Sequence, residues 1–323
     1  MTKPPPAEWA RHEAVWIGFP SHQGLWLNDL APARNEVTAF ARTVHAGGRG
    51  ERVLLVAADE EAAIAAQLAA PFAEVIVYPF GDIWLRDTTA IIDGDGTGHI
   101  FRFNGWGQKY VMPGDETIGT WLAEACDRPV VHHDWVLEGG AIDGDGTGLV
   151  VLTEQCLLNP NRNPGATRDD IEARLAANLG FNRFLWLGEG LMNDHTDGHV
   201  DNLARFVGVN RLAIPVSADS CDPNYRVYNL AAQRAQGFGV EVARVPSPGL
   251  VLRNGQAIPA SCMNFYIGNV AVVVPMYGTP NDDLAVQMFQ LLFPDRTVVG
   301  LPANHVLSNG GGSFHCISQQ IPA

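Results

Sequence analysis

Two stretches of the chain share one pattern of apolar and polar positions, and each of them predicts a β-hairpin. In residues 88–103 (TTAIIDGDGTGHIFRF) and 138–153 (EGGAIDGDGTGLVVLT), apolar runs flank the same Asp-Gly-Asp-Gly-Thr-Gly segment. Apolar runs around a short Asp/Gly segment are typical of hairpins. A helical pattern follows each hairpin, at 116–126 and at 167–180, and a short apolar strand comes after each helix. The chain therefore repeats a hairpin–helix–strand unit.

Three further units extend this pattern over the whole chain. Residues 199–216 and 261–275 each predict a strand pair that is followed by a helix and a strand. The fifth unit combines both ends of the chain, in the order strand 308–318, strand 13–20, helix 33–45 and strand 52–57. Five such units predict one α/β domain over residues 1–323, a five-fold pseudosymmetric propeller whose ring closes by pairing of the N- and C-terminal segments. Such a ring leaves no exposed sheet edge.

Polar side chains stand at the start of these units. In a ring of related units, equivalent positions face a common axis, so residues far apart in sequence converge there. The charged or reactive side chains at these positions are Asp87, Glu138, His199, Asp201 and Cys316. The fourth unit offers Ser261 and Asn264, which carry no charge. The pattern predicts one polar cluster on the axis.

These residue types together indicate covalent catalysis on a cation. A cysteine attacks as its thiolate, a histidine transfers protons, and carboxylates bind a planar guanidinium through paired N–H···O contacts. The cysteine lies in GGGSFHC, residues 310–316, where Phe314 and the following Ile317 are apolar although free tails are usually polar. We interpret this segment as an anchored strand whose glycines let the backbone approach a substrate closely.

Two segments also admit a metal-site interpretation. A strand at HTDGHVD would place four alternate side chains on one face, where a metal ion can bind them: His195, Asp197, His199 and Asp201. The second hairpin imitates an EF-hand loop with oxygen ligands in register up to Glu154. Its flanks read as strands, and the sister hairpin has Asn104 at the matching position, so the turn interpretation is favoured.

Charge and composition narrow the class of function. The 323 residues include 35 acidic side chains against 21 Lys and Arg, for a formal charge of −14. Nucleic-acid binding needs a basic patch, so we expect a small cationic partner instead. No run approaches the ~18 apolar residues of a membrane span, and the first residues lack the apolar part of a signal peptide. With five scattered cysteines, these features predict a cytoplasmic protein without membrane contact.

At the unit starts the sequence resembles the agmatine deiminases, guanidino-modifying enzymes with the five-fold α/β-propeller called the pentein fold. The resemblance covers essentially the whole chain. Its motifs are PAEWARHEAVWIGFP at 6–20, WLRD at 84–87, RFNGWGQKY at 102–110, LEGG at 137–140, GHVDN at 198–202 and GGGSFHCISQQIP at 310–322.

The resemblance implies hydrolysis of agmatine to N-carbamoylputrescine and ammonia, a reaction of polyamine metabolism that leads to putrescine, without metal or cofactor. The roles it implies are nucleophile for Cys316, general acid/base for His199, guanidinium binding for Asp87 and Asp201, and a carboxylate near the histidine for Glu138. Trp84 and Trp106 are candidates for an apolar or cation–π wall of the substrate site.

Two departures fall where the alkyl tail of the substrate would lie. His195 stands where many relatives have a carboxylate associated with the distal amine, and Phe19-Pro20 replaces a common Trp-Pro. We still expect agmatine to be preferred to free arginine, because a buried α-carboxylate needs a cationic partner. Alternation along a strand predicts that Arg86 points away from Asp87. Lys109 is then the basic residue able to bind the α-carboxylate of arginine.

Three alternatives remain open at the level of sequence. The chain could deiminate another guanidino compound, it could be a metal-dependent hydrolase built on HTDGHVD, or it could be a catalytically silent propeller that binds polyamines. The oligomeric state is also open, a homo-oligomer included.

Overall fold

The computed structural model of the chain describes residues 2–323, except for the side chains of residues 308–310, and has a mixed α/β fold. The strands are β1 (His12–Gly18), β2 (Arg52–Ala57), β3 (Glu74–Val77), β4 (Ile91–Ile92), β5 (Gly98–Arg102), β6 (Val130–Val136), β7 (Ile142–Gly144), β8 (Leu149–Leu152), β9 (Arg183–Trp186), β10 (Arg205–Gly208), β11 (Arg211–Val216), β12 (Glu241–Pro246), β13 (Val251–Arg253), β14 (Gln256–Ile258), β15 (Tyr266–Ile267), β16 (Ala271–Met276), β17 (Thr297–Pro302) and β18 (Ser318–Pro322). The helices are α1 (Gln23–Trp26), α2 (Leu30–His45), α3 (Glu60–Ala69), α4 (Leu85–Thr88), α5 (Gly105–Gln108), α6 (Ile118–Ala125), α7 (Glu154–Leu157), α8 (Arg168–Leu179), α9 (Val200–Leu203), α10 (Tyr225–Phe238), α11 (Asp282–Leu292) and α12 (Asn304–Gly310). No helix within the described residues combines the length and the apolarity needed to cross a bilayer.

Four three-stranded sheets repeat one arrangement. In β4-β5-β6, β7-β8-β9, β10-β11-β12 and β15-β16-β17, the first strand is antiparallel to the second and the second is parallel to the third. The helix that joins each parallel pair is α6, α8, α10 or α11. Parallel neighbours require such a crossover, whereas antiparallel neighbours need only a turn. The predicted hairpin–helix–strand units are thus confirmed.

A fifth sheet joins the two ends of the chain. Strand β18 pairs antiparallel with β1, with Ala14 opposite Ile321 and Ile17 opposite Ser318. Strand β1 then pairs in parallel with β2, and β2 with β3. The predicted pairing of the N- and C-terminal segments is confirmed, and β3 is an additional edge strand.

Helix α2 anchors the segment that contains Cys316. Its buried side chains recur at helical spacing and form one apolar stripe: Ala33, Val37, Phe40, Ala41 and Val44. Phe40 stacks on Phe314 with ring centroids 4.9 Å apart, and Phe314 and Ile317 are both fully buried. Packing of these apolar side chains holds the glycine-rich segment in the core.

The strands predicted at two unit starts are replaced by helical turns. Residues 304–310 form α12, so the closing strand begins only at Ser318. His199 caps α9 instead of belonging to a strand, and β10 begins at Arg205. A strand sends neighbouring side chains to opposite faces, whereas one helical turn can gather them on one side. This is the physical reason why the strand prediction was wrong at these positions.

The segment that imitates an EF-hand is a hairpin, as predicted. Strands β7 and β8 pair antiparallel, with Ile142 opposite Leu152. Asp143 accepts a hydrogen bond from Arg205 Nε at 3.0 Å, and Asp145 accepts one from the backbone N–H of Thr147 at 2.8 Å. These carboxylates are therefore bound to groups of the protein itself.

Candidate active site

A cavity of about 250 Å³ opens onto the residues predicted at the unit starts. Its walls include Trp84, Asp87, Trp106, Lys109, His195 and Cys316. Glu138, His199 and Asp201 lie behind this surface and are fully buried. His199 lies 3.7 Å from Asp87, Asp201 lies 3.3 Å from Cys316 Sγ, and Glu138 lies 4.0 Å from His199. The structure thus brings all five predicted charged or reactive side chains together.

Each of these five residues lies just before the first strand of a sheet. Asp87 is in α4, before β4, and Glu138 precedes a 3-10 turn that leads into β7. His199 and Asp201 are at the start of α9, before β10, and Cys316 is in the turn before β18. The equivalent positions of four units thus deliver the side chains to one place.

The Cys316 thiol is enclosed by polar groups. Its Sγ atom lies 3.0 Å from Asn264 Nδ2, which donates to it, and 3.3 Å from Asp201 Oδ2. Asn264 Oδ1 in turn accepts from the backbone N–H groups of Ser313 and Cys316, at 2.8 and 3.2 Å. Burial, reinforced by the charges of Asp201 and Asp87, raises the pKa of the Cys316 thiol well above its ordinary value. A cation bound beside these carboxylates would oppose that effect and favour the thiolate.

The two oxygens of Asp201 have different surroundings. Oδ2 accepts a hydrogen bond from His315 Nδ1 at 2.7 Å and another from Asn264 Nδ2 at 3.2 Å. Oδ1 is buried and has no hydrogen-bond partner among the described residues. Burial alone would raise the pKa of Asp201, but the hydrogen bond from His315 and the charges of His315, His199 and Arg205 together outweigh it and lower that pKa. Asp201 is thus an anion with one oxygen available to a donor.

Asp87 is held by two donors of the protein. Its Oδ1 accepts from the backbone N–H of Gly140 and its Oδ2 from Trp106 Nε1, both at 2.9 Å. Burial raises the pKa of Asp87, although His199 acts in the opposite direction. Besides lining the cavity, Trp106 therefore fixes the Asp87 carboxylate through its indole N–H.

His199 lies between two carboxylates. Its Nδ1 is 3.7 Å from Asp87 Oδ2 and its Nε2 is 4.0 Å from Glu138 Oε2. Burial opposes a charged ring, but Asp87, Cys156 and Glu138 together outweigh it, so the pKa of His199 is raised well above its ordinary value. Neither ring nitrogen has a hydrogen-bond partner among the described residues. The ring is therefore a buried acid whose nitrogens lie near two carboxylates but make no hydrogen bond with the described residues.

Arg162 fixes Glu138 on the side away from His199. Its Nε donates to Glu138 Oε1 at 2.6 Å, and its Nη2 donates to the carbonyl of Thr196 at 2.8 Å. Nη1 pairs with Asp197, which also binds Lys109 at 2.8 Å. A line of alternating charges thus runs from the cavity wall to Glu138.

The fold and this geometry can be compared with known proteins. The family model of the Porphyromonas-type peptidyl-arginine deiminases matches residues 5–322. The chain belongs to this family. The agmatine deiminase of Stutzerimonas stutzeri (strain A1501) is 36% identical to it over 98% of this chain and 95% of the relative.

Two solved structures are similar over nearly their whole lengths. The agmatine deiminase of Enterococcus faecalis has a TM-score of 0.90 and 29% sequence identity, with 98% of this chain and 95% of that chain covered. A cysteine-to-serine variant of C. jejuni agmatine deiminase, with substrate bound, has a TM-score of 0.89 and 26% identity, with 100% and 97% covered. The resemblance to the agmatine deiminases is confirmed.

The HTDGHVD residues do not share one face. Asp197 turns to Lys109 and Arg162, Asp201 contacts His315, and His199 lies beside Asp87. His195 is exposed at the cavity mouth. The predicted alternation required a strand, and this segment is instead a series of turns that leads into α9. The geometric basis of the metal-site interpretation is therefore lost.

Sequence reasoning missed several residues that surround the cluster. Cys156 seemed remote from any histidine, but its thiol lies within 4.8 Å of both His199 and Glu138. Arg162 and His315 were not singled out, and Asn264 was noted only as uncharged. The place of Asn264 at the start of the fourth unit is the sequence signal that could have identified it as a site residue. Arg162 comes from a loop between α7 and α8, for which the repeat pattern makes no prediction.

The two tryptophans of the cavity wall differ in their hydrogen bonds. Trp84 Nε1 donates to Asp82 Oδ2 at 3.0 Å, behind the wall, whereas Trp106 donates to Asp87. Both rings line the cavity, and their role as a wall for the substrate stays a prediction. Gly312 packs against Trp84 and Cys316, since a Cβ there would lie 2.8 Å from the Trp84 ring and 2.9 Å from Cys316 Sγ.

We expect Gly140→Ala to lower activity at least ~100-fold with little loss of the folded protein. A Cβ at this position would lie 2.6 Å from His199 Nδ1 and 3.0 Å from both Asp201 Oδ2 and Asp87 Oδ1. Displacing catalytic groups by about 1 Å costs on the order of 100-fold in rate. The matched control is Gly237→Ala in α10, where nothing lies within 4 Å. Steady-state kinetics of both variants test this, and equal activities would contradict it.

Proposed function

We propose that this chain hydrolyses agmatine to N-carbamoylputrescine and ammonia through a covalent intermediate on Cys316. The observation that carries the proposal is the meeting of the Cys316 thiol and the Asp87 carboxylate in one cavity wall, with Asp201 and His199 in contact with them directly behind it. Relatives named agmatine deiminases, among them a cysteine-to-serine variant with substrate bound, support both the substrate and a catalytic cysteine.

The guanidinium of the substrate binds between Asp87 and Asp201. Both carboxylates are buried and have lost their hydration, so a cationic partner stabilises each of them. The free Oδ1 of Asp201 is the acceptor on one side, and Asp87, oriented by Gly140 and Trp106, is the acceptor on the other. Trp84 and Trp106 form the wall along the substrate. Bound in this way, the guanidinium carbon faces Cys316 Sγ.

The first half-reaction forms a C–S bond and breaks a C–N bond. The positive guanidinium offsets the charges that raise the pKa of Cys316, so the thiolate forms in the complex. Sulfur attacks the guanidinium carbon, and His199, which holds a proton, donates it to the departing nitrogen. This leaves His199 neutral, and the thiol proton passes to the solvent. Ammonia leaves, and an amidino-thioester cation remains on Cys316.

The second half-reaction returns the enzyme to its starting state. His199 now accepts a proton from a water molecule, whose oxygen attacks the same carbon. The C–S bond breaks, sulfur takes the remaining proton of that water molecule, and the ureido product leaves. His199 keeps the proton that it accepted, and the thiol proton released in the first half-reaction converts ammonia to ammonium. Glu138, fixed by Arg162, stabilises the charged ring of His199. Protein side chains carry out each step, so the mechanism needs neither metal nor cofactor.

The proposal includes the finer architecture. The five sheets with the shared strand arrangement are proposed to close into a five-fold ring, as one domain over residues 1–323. The contact between β1 and β18 and the common placement of Asp87, Glu138, His199 and Cys316 before their sheets support it. The five free cysteines suit a reducing compartment, so we also propose a cytoplasmic location.

The test of the function is ammonia release from a panel of guanidines, in which we expect agmatine to exceed arginine about 100-fold in kcat/KM. An α-carboxylate buried without a cationic partner costs roughly 3 kcal/mol, and each 1.36 kcal/mol is about tenfold in rate. Arg86 does point away, toward Glu8, although it lies in a helical turn rather than a strand. Lys109 is already paired with Asp197 at 2.8 Å.

Lys109→Met is the control for this prediction. If Lys109 does not bind a substrate carboxylate, the variant keeps the same ratio of agmatine to arginine activity. Arginine turnover within tenfold of agmatine would contradict the prediction. A third guanidine that exceeds agmatine would identify another guanidino substrate, the outcome that His195 at the cavity mouth suggests.

A further inference from the structure

His315, the residue before the candidate nucleophile, lies between two buried carboxylates. Its Nδ1 is 2.7 Å from Asp201 Oδ2, and its Nε2 is 3.0 Å from Glu8 Oε2. The side chain of His315 is only 2% exposed and that of Glu8 only 4%. A segment near the N-terminus is thus connected through one ring to a carboxylate of the candidate active site.

The hydrogen-bond partners of this ring indicate its protonation. Glu8 also accepts from the backbone N–H of Ile267 at 2.7 Å and pairs with Arg205. Burial alone would raise the pKa of Glu8, but Arg205, His315 and Arg86 together outweigh it and hold that pKa well below its ordinary value. Ionised carboxylates only accept hydrogen bonds, and an imidazole donates from both nitrogens only when it is protonated. Both contacts are satisfied at once by a positively charged His315.

The surrounding charges are consistent with such a cation. The charged groups that face His315 from the packed elements are Glu8, Arg86, Asp143, Asp201 and Arg205. Arg86 Nε donates to the His315 carbonyl at 3.4 Å, and Arg205 Nε pairs with Asp143 at 3.0 Å. Three carboxylates and two guanidinium groups leave one negative charge, which a protonated His315 neutralises. Buried charges are stable only when they are paired in this way.

We propose that His315 is a positioning residue, a charged ring that fixes the Asp201 carboxylate so that Oδ1 faces the substrate guanidinium. This rests on the proposed function of Asp201. Oδ2 is occupied by His315 Nδ1, by Asn264 Nδ2 and by the Cys316 thiol, at 2.7, 3.2 and 3.3 Å. Loss of the shortest of these contacts lets the carboxylate rotate and weakens its grip on the guanidinium.

Two substitutions separate the two contacts of the ring. In His315→Asn the amide nitrogen replaces Nδ1 and keeps a donor toward Asp201. In His315→Gln the longer side chain replaces Nε2 and keeps a donor toward Glu8 only. We expect His315→Gln to lower kcat/KM for agmatine about 30-fold, mainly through KM, as for a lost hydrogen bond to a charged group. His315→Asn is expected to stay within about fivefold of the wild type.

His12→Gln is the matched control for buried-histidine loss. His12 is also buried and contacts a carboxylate, Glu51 Oε1, at 3.0 Å, but it belongs to β1 and does not contact Asp201. The His12→Gln variant should lower Tm as His315→Gln does and leave the KM for agmatine unchanged. Equal KM effects of His315→Gln and His315→Asn, or an equal effect of His12→Gln, would reduce His315 to a structural residue and overturn the proposal.

Two measurements do not depend on turnover. Nitrogen-15 NMR of histidine-labelled protein at pH 7, assigned with His315→Gln, should show both His315 nitrogens protonated, and a neutral ring would overturn the proposal. Calorimetry in the Cys316→Ser background should show agmatine binding weakened about 30-fold by His315→Gln and retained in His315→Asn. If the wild type hydrolyses no guanidine, the proposed function fails, while these two results still decide the role of His315.

Discussion

Cys316→Ser is expected to fold normally and to lose at least ~10³-fold in kcat, because a neutral hydroxyl lacks the nucleophilicity of a thiolate. The change removes little volume, and Asn264 Nδ2, which donates to Sγ at 3.0 Å, can donate to a hydroxyl oxygen equally well. The site geometry therefore persists while its nucleophile is lost. Ammonia release measures the activity, and circular dichroism and thermal unfolding measure the fold.

The matched control for this substitution is Cys262→Ser. Cys262 is as buried as Cys316, both being 3% exposed, but its thiol donates to the carbonyl of Pro246 instead of facing the cavity. It should retain activity even if its stability falls. Intact-protein mass of wild type quenched during turnover should also show an amidino adduct, and peptide mapping should locate it on Cys316. A serine variant as active as the control would end the covalent mechanism.

The repeated architecture could be predicted because its signals are local. Asp/Gly turns between apolar runs set the hairpins β4–β5 and β7–β8, and helical periodicity predicted α8 with its boundaries nearly correct. A further hairpin, β13–β14, was missed although its Asn254-Gly255 turn, with φ of 50° and 77°, carries a usual hairpin signal. This hairpin lies outside the hairpin–helix–strand units, so the repeat pattern did not predict it.

The site residues could be located by symmetry, but their local backbone could not be predicted. Equivalence of the unit starts predicted that Asp87, Glu138, His199 and Cys316 converge. In the structure Asp87 and Cys316 line one cavity, and His199 and Glu138 lie directly behind it. The strand assumed for His199 was wrong because a strand would send neighbouring residues to opposite faces. One helical turn instead places several polar side chains on the same side. Such a short helix could not be predicted, because short helices carry little sequence signal of their own.

The supporting residues escaped prediction for a different reason. Arg162 reaches Glu138 from a loop, and His315 reaches Glu8 across 307 positions of sequence, so no spacing rule relates the partners. Such contacts depend on tertiary packing, which brings together groups that each need a partner once they are buried. They become visible only when the burial of Glu138 and Glu8 is known.

His199→Ala is expected to lower kcat about 10²- to 10⁴-fold, the usual contribution of a general acid/base, whereas His195→Ala should stay within about fivefold. His199 is fully buried between Asp87 and Glu138, where its raised pKa keeps a proton available for the leaving nitrogen. His195 is exposed at the cavity mouth, and its carbonyl, which Lys109 contacts, is retained in the variant. The two variants are thus matched in chemistry and differ in position.

The same pair of variants decides between this mechanism and a metal site on HTDGHVD. A metal bound by alternate residues of that segment would need both histidines, so the two substitutions would then lose similar activity and a chelator would abolish what the wild type has. A proton-transfer role needs His199 alone and is unaffected by chelation. Metal analysis of the purified wild type completes the test. Equal losses in both variants, together with stoichiometric metal, would replace the cysteine mechanism by a metal-dependent one. Such a metal site would also require Asp197 to leave Arg162 and Lys109, because its carboxylate is paired with both of them.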